Sequence, residues 1–449
     1  MTLLPSATGR TGPHAVVIGA GFGGLAVAMR LGAAGWRVTV LDRQDRPGGR
    51  TISVESEGHR FDLGPTLMSH PDALRRLFLE CGHDPDVLDL IAPDPLWSFH
   101  WDDGTRVEAR AEGMEDAVRR ISPGDLEGWN ALWSEARARP WGGFRGLFER
   151  FRPRAWGGVM RRVATHLSDE KLRTMMACPP ILVGQNPLTA DPELCFPAMT
   201  RHGLVAANGG LGDVTHAMAE AVEAQGGEVR LGVEVIAASA RHVELTSGER
   251  LEADVVVAGT VPPSRRAPAE AIGLFVWHFG TRDTADLWPE AGVSTMVAGH
   301  NIAANLRTVA RGRIPEDPLI HLRRTTLDDC TAAPEGGDTF YALVPVPHLG
   351  HRAGPRWSEE AGPLRDRLMA RIEASVLPGL SRHLATEMVF TPEDVRDRFG
   401  TPHGLPAGGH SAVSGTGFLH LVPGPEGGVA GAISGAEALV RNLPLPAAL

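Results

Sequence analysis

Ala15-Val-Val-Ile18, Gly19-Ala-Gly21-Phe-Gly-Gly24 and Leu25 to Ala34 follow one another without a break, and their reading decides the fold. The four apolar residues have the length and β-branching of a buried strand. Leu25, Ala28, Met29 and Leu31 recur at helical spacing, and Gly35 stands where a helix ends. Arg37-Val-Thr-Val-Leu41 then reads as a second strand closing on Asp42. In the pattern Gly19-x-Gly21-x-x-Gly24, the first glycine allows a tight turn and the second lets backbone approach a pyrophosphate. The third lets helix and strand pack closely. The helix N-terminus presents free N–H groups and a positive dipole end to phosphates. Asp42 is placed to bond a ribose. This unit predicts a dinucleotide site, and NAD and FAD share it.

Downstream the chain leaves the simple βαβ repeat. Arg46-Pro-Gly48-Gly49-Arg50 is followed by Phe61-Asp62-x-Gly64-Pro65-Thr66. Paired glycines let the chain fold back on the cofactor, and Arg50 can reach pyrophosphate oxygens. Leu211 to Ala224 reads as a helix, Glu228 to Leu231 as a strand, and Val233 to Ile236 as its continuation. Val243 to Gly248 reads as a hairpin, Ala253 to Ala258 as a buried strand, and Gly427 to Gly431 as a loop entering a last helix from Ala432 to Leu443. The expected fold class is α/β, a Rossmann-like nucleotide-binding domain built from three separated segments, 14–70, 206–262 and 403–449. An α+β substrate domain takes 71–205 and 263–402, with a helical, membrane-facing insert at about 110–200.

Composition narrows the function. The 449 residues are 43% hydrophobic and 22% charged, as in a globular protein large enough to hold a cavity. Net charge is −10, which argues against nucleic acid as a partner. Cys81, Cys178, Cys195 and Cys330 are scattered and the N-terminus has no secretory pattern, so a cytoplasmic location is expected. Histidines occur without HxxxH or HExxH spacing, so no metal is expected. No GxSxG elbow marks a hydrolase.

The sequence resembles the bacterial-type phytoene, or carotenoid, desaturases from about Ala15 to Arg441. The resemblance is carried by Val16 to Leu25, Pro47-Gly-Gly-Arg50, Asp62-x-Gly-Pro-Thr66 and Gly209-Gly-Leu211. It continues in Tyr341 to Leu349, Asp394-x-Arg396, His403-Gly404 and Gly428-Val-Ala-Gly431. The nucleotide motifs are shared with flavin amine oxidases; Asp62 to Thr66 and Tyr341 to Leu349 favour the desaturases. The resemblance implies an FAD enzyme that removes hydrogen from a hydrophobic polyene; with no second nucleotide fingerprint in the sequence, oxygen or a quinone is expected to take the electrons. Carried over by position, Gly19, Ala20, Gly21, Gly24, Asp42, Arg43, Gly49, Arg50, Pro65 and Thr66 would line the FAD. Val235 would meet the adenine, and Gly428 and Val429 would form a loop beneath the pyrimidine end of the flavin. Asp394, Arg396, His403 and Glu426 are candidates for taking a proton, and none is assigned as catalytic.

The chain departs from the family where His420-Leu-Val-Pro-Gly-Pro425 replaces a glycine-rich stretch before the last helix. Prolines remove N–H donors, so hydrogen bonding to FAD differs there. Between 137 and 162, eight arginines alternate with Trp141, Phe144, Phe148, Phe151, Trp156 and Met160 against the single acid Glu149. Basic segments with aromatic anchors dock on anionic lipid. Peripheral association with the inner face of the membrane is therefore expected. A flavin-dependent carotenoid isomerase, an amine oxidase and a non-catalytic flavoprotein stay open as alternatives.

Overall fold

A computed structural model describes residues 12–110, 113–137, 158–190, 204–259, 271–405, 419–421 and 428–443. Five parallel strands form one sheet in the order Glu228–Arg230, Arg37–Leu41, His14–Ile18, Val255–Ala258, Leu419–His420. Val16 lies opposite Thr39 on one side and Val256 on the other. Strands covered on both faces become continuous apolar runs, which is why Ala15 to Val17 and Val256 to Val257 carry nothing polar. Helices Phe22–Ala33, Leu211–Ala224 and Gly428–Arg441 share one core through Leu25, Met29, Met218, Val222 and Ile433. The other face packs on an antiparallel sheet of Val235–Ala238, His242–Leu245 and Arg250–Glu252.

Two readings are corrected. Val233 to Ile236 does not continue the Glu228–Arg230 strand. Gly232 takes a left-handed φ of 67° and its N–H bonds to the Gln44 carbonyl, so the chain turns out of the parallel sheet and enters the small one. The last helix starts at Gly428, so Gly428 and Val429 occupy its first turn and not a loop before it. Val429 is buried in the core shared with Phe22, which accounts for the earlier start.

The second sheet has seven strands in the order Leu384–Phe390, Gly273–Thr281, Asp338–Val346, Ile320–Arg324, Ser294–Ala298, Trp97–Trp101, Arg106–Ala109. Residues directly opposite in neighbouring strands share a face. The outer face carries Phe275, Trp277, Phe279, Leu322, Phe340 and Val344 and is covered by helix Trp357–Ser375. On the inner face, the Trp97, Phe99 and Met296 end is covered by helices Met114–Ile121, Leu126–Arg137, Val159–Ala164 and Glu170–Leu182. Most of the basic and aromatic patch lies at 138–157, outside the described residues. No described helix is long and apolar enough to cross a membrane.

Candidate functional site

The glycine turn closes on itself. Gly19 has a φ of 105° and donates its N–H to the Leu41 carbonyl at 2.7 Å. A Cβ on Gly24 would stand 1.9 Å from the Gly19 carbonyl oxygen, so only glycine lets the helix start this close. Gly21 is the N-cap of the Phe22–Ala33 helix, with no side-chain cap and no acid in the first turn. The positive dipole end is left without local compensation, which fits an anionic ligand. Gly48 and Gly49 fold back onto the turn. Gly48 donates to the Ala20 carbonyl at 2.9 Å, and Gly49 has a φ of 60° with its Cβ position 3.3 Å from the Gly21 Cα. A side chain at 49 would fill the space next to the turn.

Asp42 is buried, and its carboxylate accepts the N–H of Ala20 at 2.7 Å and of Gln44 at 2.9 Å. Each carboxylate oxygen keeps a lone pair for a further donor. Val233 donates its N–H to the Asp42 carbonyl at 2.8 Å, which ties the start of the Val235 strand to the end of the Arg37–Leu41 strand. Arg43 is exposed and donates to the Arg398 carbonyl at 2.8 Å, so it ties helix Pro392–Phe399 to the nucleotide side. Arg50 is half-buried, and loss of solvent lowers its pKa. An anion beside it would reverse that cost. Gly64 crosses the Arg50 backbone so closely that a Cβ would fall 1.7 Å from the Arg50 oxygen. These features together fit a dinucleotide with its pyrophosphate at the helix N-terminus.

Beyond Gly64 the chain meets the second sheet. Pro65 is exposed and Thr66 is buried. The Thr66 hydroxyl bonds to the Tyr341 hydroxyl at 2.8 Å. Tyr341 lies opposite His278 on one side and Arg323 on the other, and Ser294 lies opposite Arg323. These four form a polar row across the inner face. The neighbouring row runs Val276, Leu343, His321, Met296, Phe99 and is largely apolar. Val276 and Leu343 keep partial solvent access there. Asp62 sits just before, accepting from Ser53 Oγ at 2.6 Å, and burial raises its pKa.

Sequence reasoning named Tyr341 only within a motif and missed His278, His321 and Arg323. A signal was present. Ile320-His-Leu-Arg-Arg324 alternates polar and apolar residues with every side chain buried, the mark of a strand with two differently covered faces. Of the proton-acceptor candidates, Asp394, Arg396 and His403 lie on helix Pro392–Phe399 and the turn packed against it. Asp394 closes a capping box with Thr391, and Arg396 is exposed and paired with Asp397 at 2.6 Å. His403 takes a left-handed φ of 62° while its carbonyl accepts the Leu349 N–H at 2.9 Å. Glu426 and Val422 to Pro425 lie outside the described residues.

Burial holds His278 and His321 down to about 3. Both stay neutral at pH 7, and the folded chain takes up neither proton until far into acid. The unfolded chain takes both below about pH 6.5. Stability is therefore full above that value and falls with pH by about 1.4 kcal/mol per unit for each histidine. The expected outcome is that His278→Gln narrows its stability gap to the parent chain as pH falls from about 7 to about 4. Urea midpoints across that range would read it, and a constant gap would contradict it.

A family model described as an NAD(P)-binding Rossmann-like domain matches residues 17–81. Phytoene desaturase (neurosporene-forming) of Cereibacter sphaeroides is 37% identical, covering 87% of this chain and 84% of that protein. Phytoene desaturase (lycopene-forming) of a Paracoccus species is 31% identical, covering 87% of this chain and 86% of that protein. An oxidoreductase of solved structure from Methanosarcina mazei overlays with a TM-score of 0.65 at 16% identity. The overlay covers 96% of this chain and 100% of that one, a likeness of fold alone.

Proposed function

This chain belongs to the bacterial phytoene desaturase family, and from that premise we propose that it is an FAD-dependent desaturase of a carotenoid precursor such as phytoene. The observation that carries the placement is the Thr66 to Tyr341 hydrogen bond. It joins the cradle segment to a sheet face that turns from polar to apolar within one row of residues. When bound, FAD supplies a two-electron acceptor for a hydride leaving an allylic carbon.

The chain's own residues divide the remaining work. The Gly19 to Gly24 turn, the first turn of its helix and Arg50 would hold the pyrophosphate. Asp42 would take the ribose, and Val235 the adenine. Gly428 and Val429 would meet the pyrimidine end. On the substrate side, Val276 and Leu343, which keep partial solvent access, give a hydrocarbon an apolar surface. Tyr341 stays protonated, because burial raises its pKa.

The same reading assigns 14–70, 206–262 and 403–449 to FAD and 71–205 and 263–402 to the substrate. It places residues 137–162 on the inner face of the membrane, where the polyene resides, and makes oxygen or a quinone the final electron acceptor. A visible spectrum of the purified protein with FAD, before and after adding phytoene-loaded liposomes, tests it. A bound-flavin band followed by a structured polyene band is the expected outcome. Bound flavin with no polyene in the presence of oxygen or a quinone would overturn the substrate assignment.

A further inference from the structure

The inner face holds more buried polar hydrogen-bonding groups than its neighbours satisfy. Arg323 pairs through Nη2 with Asp328, while its Nε and Nη1 have no hydrogen-bond partner among the described residues. His278 Nε2 and His321 Nδ1 are likewise without one. All three residues are 2% exposed. A packed core satisfies nearly all such groups, so a concentration of orphans marks a wall whose partner is a ligand. A hydrocarbon offers no acceptor to an N–H group. The partner on this side is therefore not the polyene.

Register shows what the wall faces. His278, Tyr341 and Arg323 stand side by side in one row, and the middle member reaches Thr66. The Tyr341 ring is held edge-on between two imidazoles, His278 at 6.0 Å and His321 at 5.4 Å. The Phe61 ring lies 5.7 Å from that of His278, so the row meets the 61–66 segment at His278 as well as at Tyr341. A phenylalanine at 341 would fill the same space with no hydroxyl to desolvate.

We propose that Tyr341 is a positioning residue for the cofactor, and that the His278–Tyr341–Arg323 row is the substrate-sheet wall of the cofactor site, facing the heteroatom edge of a flavin. The Tyr341 hydroxyl holds that of Thr66 in one orientation toward the bound cofactor, and Arg323 and His278 present the remaining polar groups. This rests on the FAD reading above.

Tyr341 is the only tyrosine in the chain. Protein grown with 3-fluorotyrosine therefore gives one ¹⁹F resonance, reporting from the row itself. Titration with FAD, followed by that resonance and by the flavin band, is expected to shift the resonance in step with binding. Tyr341→Phe is expected to weaken FAD binding about tenfold, the size of one buried hydrogen bond. Thr66→Val should do the same, and the double variant should be no weaker than either single one, since both remove one interaction. Thr66→Ser should restore most of the affinity. A flavin band that reports binding while the resonance stays still and Tyr341→Phe binds like the parent would overturn the inference and leave the FAD reading standing. Absence of any FAD binding by the parent chain would overturn both. Should Tyr341→Phe fail to fold, the resonance of the parent chain and the Thr66 variants decide the matter.

Discussion

Gly24→Ala is expected to strip the protein of its dinucleotide, lowering affinity by about a hundredfold or more, equivalent to about 2.7 kcal/mol. The added methyl would overlap the Gly19 carbonyl oxygen at 1.9 Å and crowd Val17 Cγ1 at 3.4 Å. The first of these neighbours is backbone at the turn itself and cannot swing away. Relief requires the Phe22–Ala33 helix to move off the strand, and its first-turn N–H groups leave the position proposed for the phosphates. The helix is not free to move cheaply. Leu25, Ala26, Val27, Ala28 and Met29 are fully buried, so a shift disturbs the core shared with the other two helices. Overpacking of this kind costs about 1–3 kcal/mol in stability as well. Flavin absorbance retained after gel filtration, with a thermal midpoint on the same sample, separates the two effects. Parental retention of flavin would show that this helix N-terminus does not set the phosphate position.

Asp338→Ala is expected to give the largest loss of stability, about 3–5 kcal/mol. Asp338 and Arg324 form a buried pair on the outer face of the seven-stranded sheet, with Nε and Nη2 of the arginine each 2.8 Å from a carboxylate oxygen. The guanidinium also donates to the carbonyls of Trp288 at 3.1 Å and Ala285 at 2.8 Å. The carboxylate accepts from the hydroxyls of Thr284 at 2.9 Å and Thr326 at 2.5 Å. Removing the acid leaves a buried cation and two hydroxyls short of an acceptor. Replacing both partners by apolar residues, as in Arg324→Met with Asp338→Leu, removes the stranded charge and should recover most of the loss. Urea denaturation of the single and the double variant beside the parent chain measures this. Equal losses in the single and double variants would show that the pair's packing and not its charge holds the sheet. The effect reaches the site, because Asp338 begins the strand that carries Tyr341.

How much of this was legible follows from how local each signal is. Strand His14–Ile18, strand Arg37–Leu41 and helix Leu211–Ala224 were readable because burial on one stripe or both faces writes a pattern into adjacent residues. The departures came where a distant partner overrode a local pattern. Val233 to Ile236 has the composition to extend a strand, yet Gly232 and the Gln44 carbonyl turn it away. Val429 reads as loop after a run of glycines, yet contact with the first helix's core draws it into the last helix. Asp394 and Arg396 fit a family motif, and their spacing could not reveal that one caps a helix and the other faces solvent.

The sequence by itself determined the nucleotide side of this protein. Strand, turn, helix and acid are contiguous there, and each glycine answers a steric demand of its near neighbours. It also carried the family, through short motifs spread along the whole chain. Only the tertiary structure decided which residues share the inner face of the second sheet. His278, Arg323 and Tyr341 lie on three strands distant in sequence, and whether they meet depends on strand order and register. Those are set by the covering of both sheet faces at once, an outcome of global packing that no window of neighbouring residues contains.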